Sequence, residues 1–159
     1  MLKMVQAEPS PANDRGLGSL KGVNLLLVED NEMDVEIFRR AMRKTGLAHP
    51  ITVAHDGLEA LSILRGENGT QPLRRPSVVL LDLNMPRMNG HEFLETIRAD
   101  PKLTDLVVFI LTTSDAPRDK EQAYQRHVAG YMQKSMSGPS VKEAIQMIQQ
   151  FAHVVDLPH

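Results

Sequence analysis

The sequence contains no cysteine, which excludes disulfide bonds and thiol chemistry. The absence of cysteine is consistent with the reducing cytoplasm, where we expect the protein to be located. No apolar run approaches the ~20 residues of a membrane-spanning helix, and the first residues lack the apolar core of a signal peptide. We therefore expect no association with membranes.

Two further binding functions find no support in the sequence. The net charge is -2, so the chain lacks the excess of basic residues typical of nucleic-acid binding, and we expect no nucleic-acid partner. There is neither a Gly-x-Gly-x-x-Gly pattern after a predicted strand nor a P-loop, which argues against nucleotide binding. The 159 residues, 42% hydrophobic and 24% charged, are typical of one globular domain with its own core.

One stretch in the middle of the chain carries the strongest signal. Residues 78–81 are an apolar, partly β-branched run, which predicts a buried strand. Asp82 follows at once, and Pro86 and Gly90 then favour a loop before helical periodicity begins. Because ligands bind at the carboxyl ends of strands in open α/β sheets, Asp82 is a candidate nucleophile or metal ligand. The structural alternative is that it only caps the following turn.

Short apolar runs and helical patterns alternate along the rest of the chain. The runs predict strands over 24–28, 51–54, 78–81, 106–111 and 130–133. Helices are predicted after the capping residues Asn31 and Asp56, and over 91–98, 117–127 and 139–150. Five strands that alternate with five helices predict an α/β fold, a parallel sheet with helices on both faces.

The chain divides into three parts. Residues 1–20 are rich in proline, glycine, serine and asparagine, which predicts a flexible N-terminal arm. The α/β domain follows over residues 21–150, and residues 151–159 form a C-terminal tail.

Polar residues follow four of the predicted strands, and parallel strands bring their carboxyl ends to one edge. That edge should collect Glu29, Asp30, Asp82, Thr112 and Lys134. Three crowded carboxylates raise one another's pKa unless a cation neutralises them, and oxygen ligands favour Mg²⁺. A hydroxyl and an ammonium complete a pocket for a phosphoryl group. The pattern predicts metal-assisted phosphoryl transfer to a carboxylate.

The chain resembles the receiver domain of two-component response regulators over about residues 24–150. The matching motifs are Val28-Glu29-Asp30-Asn31, Asp82 with Met85-Pro86 and Met88-Asn89-Gly90, Leu111-Thr112, and Tyr131 three residues before Lys134. The resemblance implies the strand order 2-1-3-4-5. Within the family the chain is similar to the single-domain regulators paired with bacterial and cyanobacterial phytochromes, notably over residues 84–101.

This resemblance implies a role for each acidic residue and a set of partners. Asp82 would accept a phosphoryl group from a phosphohistidine of a sensor histidine kinase, with a bacteriophytochrome as one candidate. Glu29, Asp30, Asp82 and the backbone carbonyl of Asn84 would hold Mg²⁺. The expected protein is a signalling switch rather than an enzyme, and a downstream phosphotransfer protein is a further candidate partner.

Three more residues would carry the switch. Lys134 would pair with the phosphoryl oxygens, and Thr112 would donate a hydrogen bond to them and pull its loop inward. Tyr131 would change rotamer with Thr112 and remodel the surface around it. The stretch after Lys134 is too short for an output domain of ~50 residues, so we expect output through protein contacts.

Two other hypotheses about the function stay open. The first is a phosphatase of the haloacid-dehalogenase type, which also forms an aspartyl phosphate. Those enzymes carry a second aspartate two residues after the nucleophile, where this chain has Asn84. The second is an interaction module on the receiver fold that is never phosphorylated. Such modules usually lack a pocket residue, and here every pocket residue is present.

Two positions depart from the family pattern. Ser135 stands where receivers usually have a proline, often with a cis bond before it, and Thr113 stands where they often have alanine. A cis bond costs ~3–4 kcal/mol before other residues, against under ~1 kcal/mol before proline. We therefore predict a trans bond between Lys134 and Ser135.

The C-terminal tail predicts a homodimer. Its apolar residues are Phe151, Val154, Val155 and Leu157, and they lie beyond the usual end of a receiver. Leaving them in water would forgo ~1.5–3 kcal/mol for each larger side chain. Because helices already cover the sheet of a receiver, we expect a second copy to bury them. Folding back onto their own domain is the alternative.

Overall fold

A computed structural model describes residues 22–46, 51–134 and 139–159. The predicted arm over residues 1–20 lies outside the described residues. Residues 135–138 do too, and with them the predicted trans bond between Lys134 and Ser135. Both stay predictions. No helix in the described ranges is long and apolar enough to cross a membrane.

Five strands and five helices alternate along the described part of the chain. The strands are β1 (Asn24–Val28), β2 (Ile51–Ala54), β3 (Ser77–Leu81), β4 (Val107–Thr112) and β5 (Gly130–Gln133). The helices are α1 (Glu32–Lys44), α2 (Gly57–Arg65), α3 (Gly90–Ala99), α4 (Pro117–Gln125) and α5 (Pro139–Val154). The predicted boundaries agree within two residues except at the end of α5.

The strands form one parallel sheet in the order β2-β1-β3-β4-β5, which confirms the predicted fold. Val28, at the end of β1, is paired with Ala54 on β2 and with Leu81 on β3. The carboxyl ends of these strands are therefore level. The residues that follow them meet at one edge of the sheet.

Both faces of the sheet are buried. On β1, Leu25 and Leu27 belong to the core that α1 and α5 cover, whereas Leu26 and Val28 belong to the core covered by α2, α3 and α4. Buried residues on both faces explain why the central strands are continuous apolar runs rather than alternating ones.

The predicted inward face of α2 needs a correction. The spacing of Leu58, Leu61 and Leu64 in the sequence predicts that all three line the core, but the Leu58 side chain is exposed. A helix turns about 100° per residue, so positions 58 and 64 point about 120° apart. The residues that α2 buries are instead Gly57, Ala60, Leu61 and Ile63.

The predicted C-terminal tail is partly helix and partly core. Helix α5 continues to Val154, and the ring of Phe151 packs edge-on against Phe109 with centroids 5.1 Å apart. Leu157 is also buried in the core under α1 and α5. The expectation that this domain offers no place for the tail is therefore wrong for Phe151 and Leu157. Val154 and Val155 remain exposed, Val154 at 75%.

Candidate functional site

The acidic residues predicted to share one edge of the sheet do lie together. Glu29 and Asp30 follow β1, Asp82 follows β3, and carboxylate oxygens of all three lie within 4.8 Å of one another. The backbone holds this arrangement past the ends of the strands, since the Asp82 N–H donates to the Val28 carbonyl at 3.0 Å. Adjacent parallel strands with level ends thus produce a compact cluster of carboxylates.

The cluster is sheltered on one side and open on the other. Glu29 is 1% exposed and Asp82 is 8% exposed, whereas Asp30 is exposed. The Glu29 carboxylate also accepts a hydrogen bond of 3.0 Å from the Asn31 N–H, which fixes its orientation. A ligand from solvent would therefore approach over Asp30 and meet Asp82 behind it.

Lys134 extends its ammonium group into the same cluster. It donates hydrogen bonds to Glu29 and, at 3.2 Å, to Asp34 Oδ2, and its Nζ lies 3.5 Å from Asp82 Oδ2. The Lys134 N–H donates to the Thr112 carbonyl at 2.7 Å, which anchors the residue beside β4. One ammonium group therefore contacts three carboxylates.

Asp34 is the member of this cluster that sequence reasoning missed. Its position in the first turn of α1, three residues after the cap Asn31, suggested only a contribution to helix capping. One signal could have identified it: this first turn of α1 comes directly after Glu29 and Asp30, the two acidic residues that follow β1. Helix geometry then brings its side chain back towards the strand ends.

Burial and charge shift the pKa values of the central pair. Burial raises the pKa of Glu29 to about 7, and the nearby charge of Asp82 adds to this, while the hydrogen bond from Lys134 opposes it. Burial alone would lower the pKa of Lys134. The hydrogen bond to Glu29 and the charges of Asp82 and Asp34 outweigh burial and raise it. The ammonium is therefore held charged, and Glu29 depends on a nearby cation to stay ionised near neutral pH.

The loop after β3 is held close to the cluster by tight backbone packing. The Asn84 N–H donates to Asp82 Oδ1 at 3.4 Å, which places Asn84 beside the central carboxylate. A Cβ atom at Gly90 would lie 2.6 Å from the backbone oxygen of Asp82, so only glycine lets α3 begin so close. At the other side of the loop, the Met88 carbonyl accepts the Gly57 N–H at 3.1 Å.

Thr112 and Tyr131, the predicted switch residues, both contact Ser114 in the loop after β4. The fully buried hydroxyl of Thr112 accepts the Ser114 N–H at 3.3 Å. The Tyr131 hydroxyl donates to the Ser114 carbonyl at 3.0 Å. The two side chains are thus linked through Ser114, a residue to which the sequence analysis assigned no role.

Comparison with known proteins agrees with this geometry. A family model of the response regulator receiver domain matches residues 25–146. The chain is 33% identical over 135 residues to the response regulator Rcp1 of Synechocystis sp., covering 84% of this chain and 92% of Rcp1.

Two solved structures resemble the fold closely. The phosphorylated cyanobacterial phytochrome response regulator RcpA matches with a TM-score of 0.77 and 33% identity, covering 86% of this chain and 99% of RcpA. The Mn²⁺-bound form of Rcp1 matches with a TM-score of 0.74 and 30% identity, covering 86% of this chain and 99% of that one.

Proposed function

The chain belongs to the response regulator receiver family, and we propose that it is a signalling switch in which Asp82 accepts a phosphoryl group. The observation that carries the proposal is the cluster itself, in which Glu29, Asp30 and Asp82 present oxygens within 4.8 Å of one another beside Lys134. A carboxylate nucleophile needs neighbours that offset the charge of an incoming phosphoryl group. Lys134 supplies one positive charge, and the clustered carboxylates could bind a metal ion that supplies another.

The donor set fits Mg²⁺ as the cofactor. Hard oxygen ligands suit this ion, and Glu29, Asp30, Asp82 and the backbone carbonyl of Asn84 would hold it. When bound, Mg²⁺ neutralises carboxylate and phosphoryl charge. Burial raises the pKa of Glu29, and a cation bound beside this carboxylate would offset the cost of ionising it, which fits the assignment. The Mn²⁺ in the similar structure of Rcp1 supports it as well.

The chain's own residues would divide the reaction among them. A carboxylate oxygen of Asp82 attacks phosphorus, forming a P–O bond as the P–N bond of the donor phosphohistidine breaks and the imidazole leaves. Lys134, 3.5 Å from Asp82, pairs with the phosphoryl oxygens. The Thr112 hydroxyl already accepts from Ser114, so its own proton is available to donate to the same oxygens.

The donor would be a sensor histidine kinase, and a bacteriophytochrome is the kind of kinase that the similarity to RcpA supports. Output would pass through protein contacts on the surface around Tyr131, or through a downstream phosphotransfer protein. A homodimer is the assembly we expect, with Val154 and Val155 as the exposed apolar residues that support it. We place the protein in the cytoplasm as a signalling protein rather than an enzyme.

A small phosphodonor tests the proposal without the kinase. Incubation with acetyl phosphate and Mg²⁺ should add the mass of one phosphoryl group, and Asp82→Asn or removal of Mg²⁺ with a chelator should abolish the gain. A phosphatase would instead release phosphate from a phosphomonoester without accumulating the adduct. An interaction module would show neither result, and a normal gain in Asp82→Asn would contradict the assignment of Asp82.

A further inference from the structure

Ser114 joins the predicted switch residues to a second, more distant pair of side chains. Its N–H and carbonyl bind Thr112 and Tyr131, as described above. Its hydroxyl donates a hydrogen bond of 2.6 Å to Asp119 Oδ2 on α4 and accepts the Ala116 N–H at 3.3 Å. Each polar group of Ser114 is therefore engaged, and any displacement of the loop must break some of these bonds.

Asp119 passes the connection on to α3. Its other oxygen, Oδ1, lies 2.9 Å from His91 Nε2. An ionised carboxylate only accepts, so Nε2 carries the hydrogen in this contact. The pKa of Asp119 is lowered by the hydrogen bonds from Ser114 and His91, which keeps the carboxylate charged. The side chains of His91 and Asp119 are 25% and 30% exposed, so the contact is partly sheltered from water.

His91, the last residue in this series of hydrogen bonds, lies close to Asp82 in the sequence of contacts at the start of α3. His91 follows Gly90, whose backbone packs directly against the backbone oxygen of Asp82. The start of α3 therefore lies in close contact with the backbone of Asp82 and Leu83. The hydrogen bonds through Asp119 and Ser114 therefore connect Thr112, the residue predicted to move, to His91 at the start of α3.

We propose that His91 and Asp119 are positioning residues, a latch that restrains the loop after β4 and opposes the movement of Thr112 towards a phosphoryl group on Asp82. The inference rests on the proposed function, since it concerns the resting position of the same switch. When only a fraction of molecules holds the loop in the competent position, apparent reactivity falls to that fraction of its full value. A weaker latch enlarges the fraction.

The alternative is a purely structural role at the start of α4, whose cap residue Ala116 makes no side-chain hydrogen bond. A second contact between α3 and α4 serves as a matched control for this structural role. Glu95 on α3 forms an ion pair of 3.6 Å with Arg126 at the end of α4, so it joins the same two helices without contacting Ser114. Loss of either link should affect the packing of α3 and α4, but only the latch should affect the switch.

The experiment measures phosphoryl uptake from acetyl phosphate by intact mass in Asp119→Ala, His91→Ala, the double variant and Glu95→Ala, each checked for folding by urea denaturation. Asp119→Ala removes two hydrogen bonds, one from Ser114 and one from His91. Loss of the one that restrains Ser114 should raise the uptake rate about threefold to tenfold. The double variant should react no faster than Asp119→Ala, because His91 acts through Asp119. Glu95→Ala should react at the wild-type rate.

The outcomes separate the two proposals. Unchanged or slower uptake in Asp119→Ala, or an equal increase in Glu95→Ala, overturns the latch while the wild type still takes up phosphate. A wild type that takes up none overturns the proposed function and the latch with it. Should Asp119→Ala unfold, the uptake rate of His91→Ala decides between the two roles. NMR spectra recorded without phosphodonor support that measurement. In these spectra the signals of Thr112 and Tyr131 should shift if the latch restrains them and stay fixed if it does not.

Discussion

Arg87 Nε donates a hydrogen bond of 2.6 Å to Asp56 Oδ2, joining the loop after β3 to the start of α2. Arg87 is 64% exposed, whereas the carboxylate of Asp56 is 2% exposed and also accepts the Glu59 N–H as the cap of α2. Arg87 adopts a left-handed φ of 63°, unusual for its residue type. A buried charge with one exposed partner thus fixes the loop in which Asn84 lies.

Arg87→Ala should lower the free energy of unfolding by about 1–2 kcal/mol. Breaking a fully buried pair costs about 3–5 kcal/mol, and the exposure of Arg87 reduces the loss, because water can partly solvate Asp56 in the variant. Urea denaturation measures the change. Arg87→Lys keeps the charge and should recover part of the loss, and a stability equal to the wild type in Arg87→Ala would show that the pair contributes nothing.

Lys134→Ala should destabilise the protein most strongly in the absence of Mg²⁺. The substitution leaves Glu29, which is 1% exposed, without its cationic partner. Without the ammonium group, the carboxylates should bind Mg²⁺ more tightly, and a ligand that binds the folded state more tightly stabilises it more. Added Mg²⁺ should therefore stabilise the variant more than the wild type. Thermal unfolding with a chelator and with Mg²⁺ gives both values. An equal gain in the two proteins would count against the shared site.

Ser77→Ala should leave stability unchanged or raise it by up to about 1 kcal/mol. Within the described ranges, the Ser77 hydroxyl is a buried group without a hydrogen-bond partner, and an unsatisfied polar group costs folding free energy. Removing it eliminates that cost with little loss of packing. Chemical denaturation tests this, and a clear loss of stability would mean that the hydroxyl has a partner in solution.

The stability contributed by His55 should decrease as the pH rises. Burial tends to lower the pKa of His55, but its contacts with Glu59 and Glu32, at 3.1 and 2.8 Å, outweigh burial and raise it above 6.5. A raised pKa in the folded state stabilises the protein below pH 6.5, and this contribution is lost as the pH rises through the folded value. The ring is nearly half exposed, so the effect should stay below about 1 kcal/mol.

NMR titration of the His55 ring measures this pKa directly. Glu59→Gln removes one negative partner and should bring the pKa down. If the variant and the wild type titrate together, the contact with Glu59 is not formed in solution.

Val154→Asp should yield a monomer that remains folded, if the exposed end of α5 drives dimerisation. Val154 is 75% exposed, so a charge there costs the single chain little. Leu157→Ala is the control. It should lower the free energy of unfolding by roughly 2 kcal/mol, the lower end for large-to-small core changes. It should not change the mass of the assembly in solution. Light scattering at matched concentrations distinguishes the cases, and equal masses for Val154→Asp and wild type would exclude this surface.

The sequence by itself determined the elements of the fold and the edge at which the candidate site residues meet. Strands buried on both faces must be apolar throughout, so β1 and β3 were visible as continuous runs. Parallel strands must present their carboxyl ends together, so the strand pattern alone was enough to group Glu29, Asp30 and Asp82. Helix starts were equally visible, because caps such as Asn31 and Asn89 act within three residues of themselves.

Only the tertiary structure decided which side chains meet across elements. Asp34 and Lys134 are 100 residues apart, and His91 and Asp119 are 28 apart, so no local pattern records either contact. The burial of Leu157 likewise depends on the core that α1 and α5 enclose, which the helix pattern does not reveal. Local propensity and periodicity act over a few residues, whereas these contacts depend on the packed positions of whole helices and loops.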